Sequence, residues 1–145
     1  MLANTITLMG LGNYEQGSGL SAARFLIGRC ERLIITDLKG ASALRRQIAE
    51  IKRLSVRVKS KTKIIWHLGG HQKQDFINTD LVVRNPDVPW YSPFLMLARQ
   101  KGIPIYNDVT LFLRHYQPPL VIGVTGTRGK STTTALIYEM MKRED

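Results

Sequence analysis

TITLMGLGNYEQGSGLSAARFLIGRCERLIITD, from Thr5 to Asp37, is the stretch that decides the architecture. Thr5 to Met9 reads as a short buried strand. A glycine-rich loop follows from Gly10. Ser18 to Ile27 reads as a helix with Leu20, Ala23 and Ile27 on one face. Arg32 to Thr36 is a second strand, ending at Asp37. A strand, a glycine loop, a helix and a second strand form the opening unit of a parallel, doubly wound sheet.

The same alternation continues outward. Leu44, Ile48 and Ile51 are spaced i, i+4, i+7, which predicts an amphipathic helix from about Ala41 to Leu54. Lys63 to His67 and Asp80 to Arg84 read as a third and a fourth strand. Pro93 to Lys101 reads as a helix with proline in its first turn, where a missing N–H costs little, and Gly102 stops it. Ile103 to Tyr106 is a short fifth strand and Val109 to His115 a further helix. Pro118-Pro119 then punctuates the chain. Leu120 to Thr125 reads as a new strand, leading through a second glycine-rich loop to a helix from about Lys130 to Lys142. The expected fold is therefore α/β, with a Rossmann-like domain over residues 1–117 and the start of another over 118–145.

The first loop carries glycine in two registers. The dinucleotide pattern G-x-G-x-x-G/A lets backbone approach a phosphate at a helix N-terminus. From Gly10 it fails, because Glu15 occupies the last small position. From Gly17 it fits, as Gly17, Gly19 and Ala22, and Asp37 follows 20 positions later, where a ribose-binding carboxylate is expected. Asn13 to Gln16 lengthen the loop beyond the usual turn, which argues for a ligand other than NAD. A loop whose glycines serve geometry alone is the structural alternative.

The second loop, T-G-T-R-G-K-S from Thr125 to Ser131, follows a predicted strand and opens a helix. Backbone N–H groups there cradle phosphates, Lys130 reaches toward the β- and γ-phosphates, and the Ser131 hydroxyl suits Mg²⁺. The general P-loop pattern needs glycine at position 124, where this chain has Val124. The alternative is a basic turn with no ligand.

Composition narrows the class. The chain has 145 residues, 43% hydrophobic and 22% charged, enough for one ordinary core but not two. No apolar run approaches the ~20 residues of a membrane span, and no basic stretch leads into a secretory h-region. The single cysteine, Cys30, forms no intrachain disulfide, so a cytoplasmic location is expected. The net charge of +10 is concentrated: Lys39 to Lys63 hold nine basic residues and only Glu50 as an acid. Without interleaved aromatics this reads as a solvated helix face and a lysine-rich loop, with steering of an anionic substrate as the other reading. A nucleic-acid partner is not expected; it would require affinity for any phosphate polymer, falling steeply with salt. His67 and His71 flank Gly69-Gly70, so a turn is expected there rather than a metal pair. Trp66 is expected in the core, and Trp90 and Tyr91 at a domain edge.

Val124 to Thr134, V-T-G-T-R-G-K-S-T-T-T, resembles the ATP loop of the Mur ligases and their folylpolyglutamate synthase relatives, whose version also lacks the leading glycine. The preceding residues are most similar to the D-glutamate-adding branch of that family. The matching features are G-L-G at Gly10, T-D-L-K at Thr36 to Lys39, D-L-V-V-R-N-P-D-V-P at Asp80 to Pro89, and I-P-I-Y-N-D-V-T-L-F at Ile103 to Phe112. Other branches, a folylpolyglutamate synthase relative, or a non-catalytic nucleotide-sugar-binding module are the alternatives.

The resemblance implies an ATP- and Mg²⁺-dependent ligase, monomeric at full length, that joins D-glutamate to UDP-N-acetylmuramoyl-L-alanine in peptidoglycan synthesis. It places Gly17, Ser18 and Gly19 at the sugar-nucleotide phosphates, Asp37, Leu38 and Lys39 at the uracil end, and Gly69 near the uridine. It places Gly126, Thr127, Arg128, Gly129, Lys130, Ser131 and Thr132 around ATP, with Lys130 catalytic and Ser131 on the metal. The family usually has glycine where this chain has Asp87. A second acidic Mg²⁺ ligand, an adenine pocket and an amino-acid-binding domain do not follow within 145 residues, so these residues alone are expected to be inactive.

Overall fold

A computed structural model describes residues 2–12 and 17–142. The extended loop at Asn13 to Gln16 lies outside the described residues. The chain divides into two compact units, Met1–His115 and Tyr116–Asp145.

The first unit is a five-stranded sheet built from β1 (Ala3–Met9), β2 (Cys30–Asp37), β3 (Lys63–Leu68), β4 (Leu81–Arg84) and β5 (Ile105–Tyr106). The strand order is β3-β2-β1-β4-β5 and every pairing is parallel. The helices are α1 (Ser18–Leu26), α2 (Arg45–Arg57), α3 (Gln74–Ile77), α4 (Pro93–Gln100) and α5 (Asp108–Tyr116). This is the Rossmann-like α/β architecture that the alternation predicts.

The central strands β1, β2 and β4 are buried on both faces, as in parallel sheets generally, while the edge strands β3 and β5 are half-buried. Alternate residues of β1 go opposite ways. Ile6 and Leu8 join Leu20, Ala23, Leu26 and Ile51 from α1 and α2, while Met9 joins Phe76, Leu95 and Ala98 from α3 and α4. Each fully buried leucine or isoleucine adds about 1.5–3 kcal/mol of burial. Trp66 is half-buried and packs on the first of these clusters. Thr7 uses its position between the apolar residues to donate Oγ1–H to the Asp75 carbonyl at 2.6 Å, pinning α3 under the sheet.

Several boundaries differ from the sequence expectation. Residues 41–44 form turns, and α2 starts at Arg45, although Leu44 is still fully buried. The fifth strand begins at Ile105, because Pro104 has no N–H to give to a ladder. The short helix α3 is too brief for periodicity to reveal. No helix among the described residues is long and apolar enough to cross a membrane.

The second unit holds α6 (Lys130–Met141). Residues 120–125 were expected to form a strand but carry no strand pairing in the structure. A strand needs a neighbour to receive its N–H and C=O groups, and no described strand pairs with it. Leu120, Val121, Ile122, Leu136, Tyr138, Met140 and Met141 are all exposed, and no residue of α6 is buried. The 30 residues of Tyr116–Asp145 supply too little apolar surface for a core of their own.

Candidate functional site

In an open α/β sheet, ligands bind beyond the carboxyl ends of the strands, where the strand order reverses. Here that point lies between β1 and β4. A cleft of about 380 Å³ opens there, bordered by Gly10 and Gly12 after β1, Leu38 and Lys39 after β2, and Asn85 and Asp87 after β4. Its volume falls within the range of small-molecule sites.

The turn after β1 is built on Gly10 (φ +86°) and Gly12 (φ +78°), both in the left-handed region that glycine tolerates. Space requires them as well. A Cβ on Gly10 would lie 3.0 Å from the Asn85 Cβ, and one on Gly12 would lie 3.1 Å from the Asn85 Nδ2. Gly17, by contrast, has extended backbone at φ −72° and ψ 154°. The glycines that shape the turn are thus the first two, which pattern matching passed over because Glu15 broke the register.

Asp37 organises this turn. The buried carboxylate accepts from the Leu11 N–H at 2.8 Å and the Gly12 N–H at 3.3 Å through Oδ2, and from the Lys39 N–H at 2.9 Å through Oδ1. Gln47 on α2 donates from Nε2 to the Gly12 carbonyl at 3.2 Å. The Leu11 and Gly12 N–H groups are therefore turned to Asp37. Gly19 lies where α1 crosses the end of β1, and its missing Cβ leaves room for the Gly10 and Leu11 carbonyls.

What remains for an anion is the start of α1. Gly17 caps it without a side-chain hydrogen bond, and the Ser18 Oγ is buried with no partner among the described residues. A buried hydroxyl left unpaired costs about 1–3 kcal/mol, which a ligand oxygen would relieve. Leu38 is 72% exposed and Lys39 is exposed; both border the cleft. Gly69 borders an adjoining groove, and its N–H donates to the carbonyls of Asp37 and Lys39 at 3.0 and 2.9 Å, tying β3 to β2.

His71 borders the cleft as well. Its Nδ1 lies 2.7 Å from the Thr36 Oγ1, and its ring meets Phe76 and Phe94 edge-on. Burial lowers its pKa below the ordinary 6.5, against the opposing pull of Asp37 and Asp75. His67 turns elsewhere, its Nδ1 2.8 Å from the Asp75 Oδ2. The two histidines take separate partners, and no cluster of metal-ligating side chains occurs among the described residues. Because His71 is held neutral in the fold, an unfolded chain binds its proton more readily. Stability is intact above the ordinary histidine range and should fall as pH drops below about 6.5. Urea midpoints from pH 7.5 to 5.5 check this: the fall should be steeper in the wild type than in His71→Gln.

In the second unit, Gly126 (φ +150°) and Gly129 (φ +79°) bend residues 126–129 onto the start of α6. Gly129 caps the helix without a side-chain bond, and the Lys130 ammonium donates to the Gly126 carbonyl at 2.5 Å. Thr127, Arg128, Ser131 and Thr132 are exposed around it. Uncapped N–H groups, an ammonium and a serine hydroxyl are a donor set that fits a phosphate chain with Mg²⁺.

The family model for the Mur ligase MurD-like N-terminal domain matches residues 4–107, the sheet and every loop that borders the cleft. The chain belongs to this family. It is similar to the UDP-N-acetylmuramoylalanine–D-glutamate ligase of Anaeromyxobacter dehalogenans (strain 2CP-C), 36% identical over 95% of this chain and 27% of that protein. The enzymes of the same name from Roseiflexus sp. (strain RS-1) and Borreliella burgdorferi (strain ZS7) are 38% and 37% identical over 94% of this chain. This MurD-like chain thus spans little more than a quarter of the length of those relatives, whose corresponding shares are 27% and 28%.

Proposed function

We propose that this chain is the front part of an ATP-dependent ligase that adds D-glutamate to UDP-N-acetylmuramoyl-L-alanine in peptidoglycan synthesis in the cytoplasm. Residues 1–117 bind the UDP-sugar, and residues 118–145 begin the ATP-binding central domain. The observation that carries this is the cleft at the β1/β4 switch point, in a chain whose whole sheet matches the MurD-like N-terminal family.

In this reading the nucleotide enters the cleft between Leu38, Lys39 and the Asn85 loop. Its phosphates reach Gly17 and Ser18 at the start of α1. Asp37, Gly19 and Gly69 act indirectly, by holding the strand ends that frame the site. Gly126 to Thr132 hold the ATP phosphates, with Lys130 neutralising charge and Ser131 offering its hydroxyl to Mg²⁺. Bound Mg-ATP would supply the phosphoryl group that activates the substrate carboxylate. The amino acid and the remaining ATP contacts belong to parts of the protein outside these residues, which alone should not turn over.

Calorimetric titration tests the reading. UDP-N-acetylmuramoyl-L-alanine should bind saturably, UDP more weakly, and Mg-ATP more weakly still. A folded chain that binds neither UDP compound would sink the assignment.

A further inference from the structure

Two carboxylates border the cleft, Asp37 and Asp87. The sequence points to Asp37 for the ribose, but its oxygens already serve three backbone N–H groups and it is 7% exposed. Asp87 is the opposite case. It is exposed, and its carboxylate has no partner among the described residues. Only its N–H is engaged, donating to the Asn85 Oδ1 at 3.1 Å.

The loop that carries Asp87 is held firmly. Asn85 donates its N–H to the Met9 carbonyl at 2.8 Å, and Val88 donates to the Asn85 carbonyl at 2.9 Å. The Arg84 Nη1 reaches the carbonyls of Pro86 at 3.2 Å and Val88 at 2.8 Å. The guanidinium carbon of Arg84 also lies 4.6 Å from the centre of the Trp90 ring. Asp87 is thus presented from a fixed wall rather than from a loose tip.

A free carboxylate there can only accept hydrogen bonds, and its charge turns phosphates away from that wall toward Lys39 and the start of α1. Of a nucleotide's groups, a vicinal diol suits it best, offering two donors to two oxygens. We infer that Asp87, rather than Asp37, is the carboxylate that accepts from the ribose hydroxyls of the bound nucleotide and so selects ribose over deoxyribose. This rests on the reading of the cleft as a nucleotide site.

Calorimetry with UDP and 2′-deoxy-UDP on the wild type, Asp87→Ala and Asp87→Asn tests it. The wild type should prefer UDP. Asp87→Ala should lose about tenfold or more in UDP affinity, the worth of a charge-assisted hydrogen bond, and should bind both nucleotides alike. Asp87→Asn should fall between. Unfolding midpoints should stay unchanged, because the side chain is exposed. Unaltered or tighter UDP binding by Asp87→Ala would overturn the inference and leave the site standing. Equal weakening toward both nucleotides, with the preference kept, would also overturn it and point to the base. A wild type that binds no UDP would overturn both.

Discussion

Replacing Gly19 by alanine is expected to lower the chain's stability by about 3 kcal/mol, at or beyond the upper end of what one inserted methyl usually costs. In an exposed helix the same change gains up to about 1 kcal/mol, because alanine restricts the unfolded chain and favours helix. The sign reverses here because of what the methyl meets. A Cβ on Gly19 would lie 2.5 Å from the Leu11 carbonyl oxygen and 2.7 Å from the Leu11 carbonyl carbon, and would overlap the Gly10 carbonyl oxygen. All three atoms are backbone, so no side chain can swing aside. Either α1 lifts from the end of β1 or the Gly10–Gly12 turn distorts, and both movements open the cleft. UDP affinity should therefore fall together with the urea midpoint. Gly40→Ala is the matched control, since nothing lies within 4 Å of a Cβ there. A Gly19→Ala chain with a raised midpoint would show that helix and turn do not approach so closely.

The fold of the first unit was legible because it rests on periodicity. Ile6 and Leu8 alternating in β1, and Leu20 and Ala23 along α1, mark buried faces without reference to any neighbour. Features that depend on a partner distant in sequence were not legible. Residues 120–125 have a strand's composition, but pairing is a property of two segments, and none of the described strands pairs with them. Gly10 and Gly12 are needed because Asn85 stands against them, some seventy-five residues along the chain. Gln47 reads as one more polar residue on a basic helix, yet it is buried against the Gly12 carbonyl. Asp37 was found for a ligand role, because an acid at the end of the second strand is what the dinucleotide pattern asks for. In the structure that acid, at the border of the cleft, also accepts from three backbone N–H groups of the turn.

That task makes Asp37→Ala the second large effect. Removing the carboxylate leaves the Leu11, Gly12 and Lys39 N–H groups without their acceptor. Each buried donor left unpaired costs about 1–3 kcal/mol, less where water can enter. A loss of about 3 kcal/mol is expected, a large part of the 5–15 kcal/mol that holds an ordinary domain together. The Asp37→Asn substitution keeps one acceptor oxygen but turns an amide toward the other donors, so that variant should lie between. Measuring urea midpoint and UDP affinity on the same samples separates two kinds of residue. A carboxylate that only touched the nucleotide would change affinity and leave the midpoint alone. Asp37 should move both, because the turn it holds forms one wall of the cleft and the Lys39 backbone forms another. An unchanged midpoint with lost affinity would return Asp37 to the ribose and remove the reason for assigning that role to Asp87.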